Sequence, residues 1–127
     1  MNFFKKFFGP KPTAKQNIIF IVEDNAAYAK MIEGFIMTNF SNIDEIKKFS
    51  VGETCLIDLD KNPDIIIMDY YLDSKYEDAE TGLETVKKIR EQKPNINIIV
   101  LSAQNDLNIT LEAVTTYHCT YIKKDEH

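Results

Sequence analysis

Six side chains suited to phosphate or metal chemistry stand at the ends of short apolar runs. Glu23-Asp24 follow Ile18-Ile19-Phe20-Ile21-Val22, Asp69 follows Ile65-Ile66-Ile67-Met68, Ser102 follows the run from Ile96 to Leu101, and Lys123-Lys124 follow Tyr121-Ile122. Three crowded carboxylates repel one another, and a hard dication relieves the repulsion. Mg²⁺ suits such a set, because it takes oxygen ligands, uses one or two carboxylates and keeps several waters. An aspartate can attack phosphorus and form an aspartyl phosphate. A lysine and a hydroxyl can then bind the new phosphoryl oxygens. Each residue alone has a plainer reading. An acidic pair after a strand is often a helix N-cap with a first-turn carboxylate, Asp69 could be a solvated loop residue, Ser102 a turn residue, and the lysines exposed cations. The chemistry requires that the ends of different runs meet in space.

The patterning of the chain predicts that they do. The three long runs are rich in β-branched residues and of strand length, the third interrupted once by Asn97, as expected for strands buried on both faces of a parallel sheet. Ile43 to Phe49 is more polar and suits an edge strand, and Tyr121-Ile122-Lys123 is a short last strand. Helical spacing falls between them: Tyr28, Ile32, Phe35 and Ile36; then Glu53 to Leu59 with Cys55, Leu56 and Leu59 apolar; then Leu83, Val86 and Ile89; then Leu107, Leu111 and Val114. Alternation of this kind predicts an α/β fold, a doubly wound, five-stranded parallel sheet with helices on both faces. Ligands of such sheets bind beyond the carboxyl ends of the strands, where the strand order reverses. In the flavodoxin-like order 2-1-3-4-5 the first, third, fourth and fifth strands are neighbours, and these are the four that end in the residues above. The second ends only in Ser50.

A length of 127 residues and 44% apolar content fit one domain with one core. A formal charge of −5 gives no basic footprint for nucleic acid. No apolar run is long enough to span a membrane, and the N-terminus lacks the pattern of a signal peptide, so the expected location is cytoplasmic. Cys55 and Cys119 have no metal-binding spacing and are expected to be reduced, buried and structural. His118 and His127 lie far in sequence from any candidate nucleophile. Residues 1–16 form a separate amphipathic arm and linker, broken by Gly9-Pro10-Lys11-Pro12, and residues 17–127 form the domain. As a helix the arm places Phe3, Phe4, Phe7 and Phe8 on one stripe. That stripe is expected to dock on its own chain or on a second copy, making a homodimer. The rival expectation is shallow contact with a lipid surface.

With these residues in view, the chain resembles the receiver domains of two-component response regulators, the CheY-like family, over residues 17–126. The matching pieces are Ile21-Val22-Glu23-Asp24-Asn25, Pro63-Asp64-Ile65-Ile66-Ile67-Met68-Asp69-Tyr70-Tyr71-Leu72, Thr81-Gly82-Leu83-Glu84, Ile99-Val100-Leu101-Ser102-Ala103 and Tyr121-Ile122-Lys123-Lys124-Asp125. Their order and separations carry more weight than any one of them. The resemblance implies that Asp69 is the phosphoacceptor, charged by a histidine kinase or a His-phosphotransfer protein. It implies that Asp24 binds Mg²⁺ directly, with Glu23 acting through a water and the backbone carbonyl of Tyr71 completing the protein ligands. Ser102 would be the switch hydroxyl and Tyr121 the switch aromatic. The family lysine lies three residues after that aromatic, which selects Lys124 over Lys123. The output would be a protein-interaction surface offered to a downstream protein, with no enzymatic activity beyond gain and loss of the phosphoryl group.

Several features depart from the family. The stretch between Asp69 and Gly82 is about five residues longer than usual, and its acidic part, 73–80, is expected to be a solvated loop. Leu72-Asp73 stand where the family has a proline. Tyr117-His118 replace a Gly-Ala pair before the last strand, and the family's fifth helix has no counterpart before His127. Other functions compete. A phosphohydrolase with an aspartate nucleophile would carry a second Asp two residues on, where this chain has Tyr71. A flavin carrier would not place Glu23-Asp24 in its phosphate loop. A degenerate receiver that binds partners without phosphorylation would not need the full residue set.

Overall fold

A computed structural model describes residues 16–70, 82–102 and 107–124. The arm at 1–15, Tyr71 and the 73–80 stretch lie outside the described residues. Five strands form one sheet: β1 (Ile18–Val22), β2 (Glu45–Phe49), β3 (Ile65–Asp69), β4 (Asn97–Ser102) and β5 (Thr120–Lys123). Their order is β2-β1-β3-β4-β5, and every pairing is parallel. The connecting helices are α1 (Ala26–Asn39), α2 (Gly52–Ile57), α3 (Gly82–Gln92) and α4 (Leu107–Leu111).

All five residues of β1 and of β3 are buried; the apolar ones are those expected in a sheet covered on both faces, and Asp69 at the end of β3 is buried with them. Alternate residues then serve opposite cores. Ile19, Ile21, Ile65, Ile67 and Ile99 join Ala29, Ile36 and Phe40 on the α1 side. Phe20, Val22, Ile66, Met68, Ile98 and Val100 join Cys55, Val86, Ile89 and Ala113 on the other. Strand β2 is an edge, and only its Phe49 is buried. Both cysteines are buried and free. Burial pushes the Cys55 thiol up to about 12, with Asp58 adding to the effect. It pushes Cys119 to about 11, with Arg90 opposing.

Two helices differ from the expected stripes. In α1, Ile36 is buried and Tyr28 and Ile32 are half-buried, but Phe35 is exposed. Ile36, with Ala29 and Phe40, makes the contact with the sheet, so the face in use is narrower than the spacing allowed. After α4 the chain passes into a π-turn, Glu112–Thr116, closed by the Tyr117 N–H donating to Glu112 O at 3.3 Å. A π-turn holds more residues than an α-turn and so rotates the inward face. Ala113 takes the core position, and Leu111 and Val114 are left exposed.

The turn that follows carries the Tyr117-His118 departure. His118 has φ 56°, a left-handed conformation that glycine adopts more easily. This turn is held from outside by Arg90 of α3. Its guanidinium donates to Tyr117 O at 2.7 Å, Ile96 O at 2.5 Å, Pro94 O at 3.3 Å and His118 O at 3.4 Å. Glycine is required elsewhere. A Cβ at Gly82 would lie 2.3 Å from the Asp69 carbonyl oxygen and 2.7 Å from Tyr70 Cα, so only glycine lets α3 start against the end of β3.

Candidate functional site

The parallel register brings the strand ends into line. Beyond the paired residues, the Glu23 N–H donates to Phe49 O, the Tyr70 N–H to Leu101 O and the Lys124 N–H to Ser102 O, at 2.8–2.9 Å. Backbone bonds therefore hold Glu23, Asp69, Ser102 and Lys124 at one edge of the sheet. The α1 cap does not draw on the acidic pair. The capping side chain is Asn25, whose Oδ1 accepts from the Tyr28 N–H at 3.0 Å, and the first helical turn contains no acidic residue. The reading of Glu23-Asp24 as cap and first-turn carboxylate is thereby excluded.

Glu23, Asp24 and Asp69 each offer a carboxylate oxygen, and the three oxygens lie within 4.8 Å of one another. Glu23 and Asp69 are buried and Asp24 is partly exposed, so the cluster opens toward solvent on the Asp24 side. Lys124 Nζ lies 3.1 Å from Asp69 Oδ1 and 3.1 and 3.4 Å from the two Glu23 oxygens. Lys123, next to it, is exposed. Ser102 is buried at the end of β4. Tyr121 pairs with Val100, two residues before Ser102, so Tyr121 and Ser102 share one face of the sheet. Tyr121 packs, half-buried, against the core on that face.

The electrostatics follow from crowding. Burial pushes Glu23 up to about 8, and a hydrogen bond to Asp69 and its charge add to this, while Lys124 opposes. Burial alone would lower the Lys124 ammonium, but Asp69 and Glu23 outweigh it and hold it above the ordinary lysine value. One ammonium does not neutralise three carboxylates. Such a set takes up either a proton, carried by Glu23, or a dication. The donors are hard oxygens, partly open to water, which fits Mg²⁺ better than the full oxygen cage of Ca²⁺.

The model of the response regulator receiver domain matches residues 19–127. The chain belongs to this family. Solved receiver domains share its fold. One is a response regulator receiver domain protein (CheY-like) from Methanospirillum hungatei, 17% identical, covering 89% of this chain and 85% of that one, with a TM-score of 0.70. Another is the isolated receiver domain of RcsB from Salmonella enterica serovar Typhimurium with phosphomimetic BeF3⁻, 20% identical, covering 87% and 78%, TM-score 0.72. A two-component response regulator of the LuxR family from Aurantimonas sp. SI85-9A1 is 16% identical, covering 87% and 76%, TM-score 0.73. No curated protein matches the sequence. Receiver domains are phosphoacceptors of two-component signalling that work through kinases or phosphotransfer proteins and effectors, and most are not enzymes. Among the described residues, no helix of this receiver domain is long and apolar enough to cross a membrane.

Two residues near the site had no reading as functional groups. Tyr28 counted only as part of the α1 stripe, yet its ring lies 4.5 Å from Lys124 Nζ. Arg90 carried no local signal, because the carbonyls it holds belong to residues 94–118.

Proposed function

We propose that this receiver domain accepts a phosphoryl group on Asp69 from a histidine kinase or a His-phosphotransfer protein. The observation that carries the reading is a buried carboxylate at the end of central strand β3. It has an ammonium 3.1 Å away and two further carboxylates within metal-sharing distance. A carboxylate oxygen of Asp69 forms the new bond to phosphorus as the bond from phosphorus to the donor nitrogen breaks. Lys124 moves its charge from the Asp69 carboxylate to the phosphoryl oxygens, where negative charge gathers. Asp24 and Asp69 would hold Mg²⁺, with Glu23 acting through a water and the Tyr71 carbonyl completing the protein ligands; the dication would supply neutralisation of the charge that gathers on the transferring group.

Ser102 is the switch hydroxyl that contacts the phosphoryl group. Tyr121 reports its movement, since both sit on one sheet face. The changed surface is read by a downstream protein rather than by nucleic acid, and the domain works in the cytoplasm. Incubation with Mg²⁺ and acetyl phosphate should give an acid-stable, base-labile adduct, absent in Asp69→Asn although that variant keeps its melting temperature. Equal labelling of the variant would move the acceptor elsewhere. Asp24→Ala should abolish the weak Mg²⁺ binding of the unphosphorylated protein. Tight Ca²⁺ binding with exclusion of Mg²⁺ would contradict the metal assignment.

A further inference from the structure

Lys124 has a long side chain, and the backbone bond to Ser102 that fixes its Cα does not by itself fix its ammonium. It follows β5, an edge strand of four residues in which Ile122 and Lys123 are exposed and only Tyr121 is half-buried. Lysine is a point charge on a flexible four-carbon stem, so its position depends on what surrounds the ammonium. The ammonium carries three N–H groups. Glu23 and Asp69 accept from the side facing the strand ends. The ring of Tyr28 lies against the ammonium, with its centroid 4.5 Å from Nζ. That distance is within the range in which an aromatic face attracts a cation, and the attraction grows when the pair is shielded from water. Only 15% of the Lys124 side chain is exposed.

Tyr28 is the steadier partner. It sits in the first turn of α1, where its own N–H is held by the Asn25 side chain at 3.0 Å and the next N–H, of Ala29, by the Asn25 carbonyl at 3.0 Å. Both bonds use backbone donors of the turn, so replacing the Tyr28 side chain leaves the cap in place. The ring is half-buried.

We propose that Tyr28 is a positioning residue for phosphoryl transfer: its ring holds the Lys124 ammonium over Asp69, in reach of the incoming phosphoryl oxygens. This rests on the acceptor role given to Asp69 above. Without the ring, the Tyr28 side of the ammonium opens to water, and its ion pairs with Glu23 and Asp69 alone must hold it in place. The ring face does this work, and a phenylalanine ring offers the same face.

The test compares Tyr28→Leu with Tyr28→Phe. At saturating acetyl phosphate and Mg²⁺, Tyr28→Leu should slow phosphorylation by about tenfold, the equivalent of a partly shielded cation–π contact. The acetyl phosphate concentration at half-maximal rate should change little, and the melting temperature should not account for the loss. Tyr28→Phe should restore most of the rate. A Leu variant as fast as wild type, or a Phe variant as slow as Leu, overturns the proposal. The contact is also read without phosphorylation. The Lys124 ε-methylene protons should show an upfield ring-current shift in wild type and Tyr28→Phe, and lose it in Tyr28→Leu. Absence of that shift in wild type overturns the proposal by itself. Failure of the acceptor reading looks different: wild type and Asp69→Asn would then label alike, whatever stands at position 28.

Discussion

Replacing Arg90 by methionine should loosen one identified part of the domain and leave the rest in place. Methionine keeps most of the aliphatic stem but removes the guanidinium, which binds four carbonyls in three places: the end of α3, the start of β4 and the turn before β5. A hydrogen bond to a charged group contributes about 1.5–3 kcal/mol net. Two of the four, to Tyr117 and Ile96, are short, and the two longer ones add little. The expected loss is about 3–4 kcal/mol, since the stranded carbonyls lose their partner as well. For a domain of this size that corresponds to roughly a 10 °C fall in melting temperature. Arg90→Lys should recover less than half of it, because one ammonium cannot span carbonyls so far apart. Urea denaturation supplies the free energy, and hydrogen exchange supplies the location. Exchange should quicken most in Thr120–Lys123, the edge strand whose entry turn Arg90 holds, and least in β1 and β3. A loss under about 1 kcal/mol with an unchanged denaturant slope, or a uniform rise in exchange, would refute the argument.

The remaining expectations concern the turn, the thiols and the arm. His118→Gly should raise stability by about 0.5–1 kcal/mol in urea, since glycine accepts φ 56° without strain and keeps the carbonyl that Arg90 binds. Both thiols are held above their ordinary value of 9.0, so their contribution is complete below pH 9 and is lost as pH rises toward 11–12. Unfolding midpoints should therefore fall between pH 8 and pH 10.5, and fall less in the Cys55→Ala, Cys119→Ala double variant. Neither thiol should react with iodoacetamide at pH 8 unless denaturant is present. Deleting residues 2–9 should lower the melting temperature or change the oligomeric state. If it does neither but abolishes binding to anionic vesicles, the phenylalanine stripe belongs at a lipid surface.

The legible parts of this protein are those that depend on runs and on order. Unbroken β-branched segments could only be buried strands, and their alternation with helices left a parallel sheet as the simple solution. A parallel sheet brings all carboxyl ends to one side, so Glu23, Asp24, Asp69, Ser102 and Lys124 could be grouped before any coordinates. The Lys123 or Lys124 alternative was harder, because adjacent residues on a strand face opposite ways and a slip of one reverses both. The α1 and α4 stripes were misjudged for a related reason. Periodicity shows which residues could share a face, but not how wide a face the sheet will cover. A π-turn after Leu111 changes the period itself, and Val114 gives way to Ala113.

What periodicity cannot reach are contacts made by side-chain ends across long separations. Arg90 meets residues 27 and 28 positions away, and Lys124 meets Glu23 across 101. The Lys124 contact could still be anticipated, because both residues follow strands whose carboxyl ends lie on one side of the sheet, and a long lysine side chain can reach across the ends of β3 and β4 between them. The Arg90 contact could not, because its acceptors are carbonyls, which every residue has. Tyr28 lies between these cases. Its place in the first turn after Glu23-Asp24 puts it near the strand ends in any fold of this order. Only the bearing of its ring on the ammonium separates an ordinary stripe residue from one that positions Lys124. The departures from the family follow the same division. Tyr117-His118 in place of Gly-Ala changes the residues that must make the turn before the last strand. In the folded chain the left-handed residue is tolerated because a guanidinium contributed by α3 holds the carbonyls on either side of the 117–118 bond. A left-handed residue that is not glycine and an arginine with no local signal are thus two parts of one arrangement, and each makes physical sense beside the other.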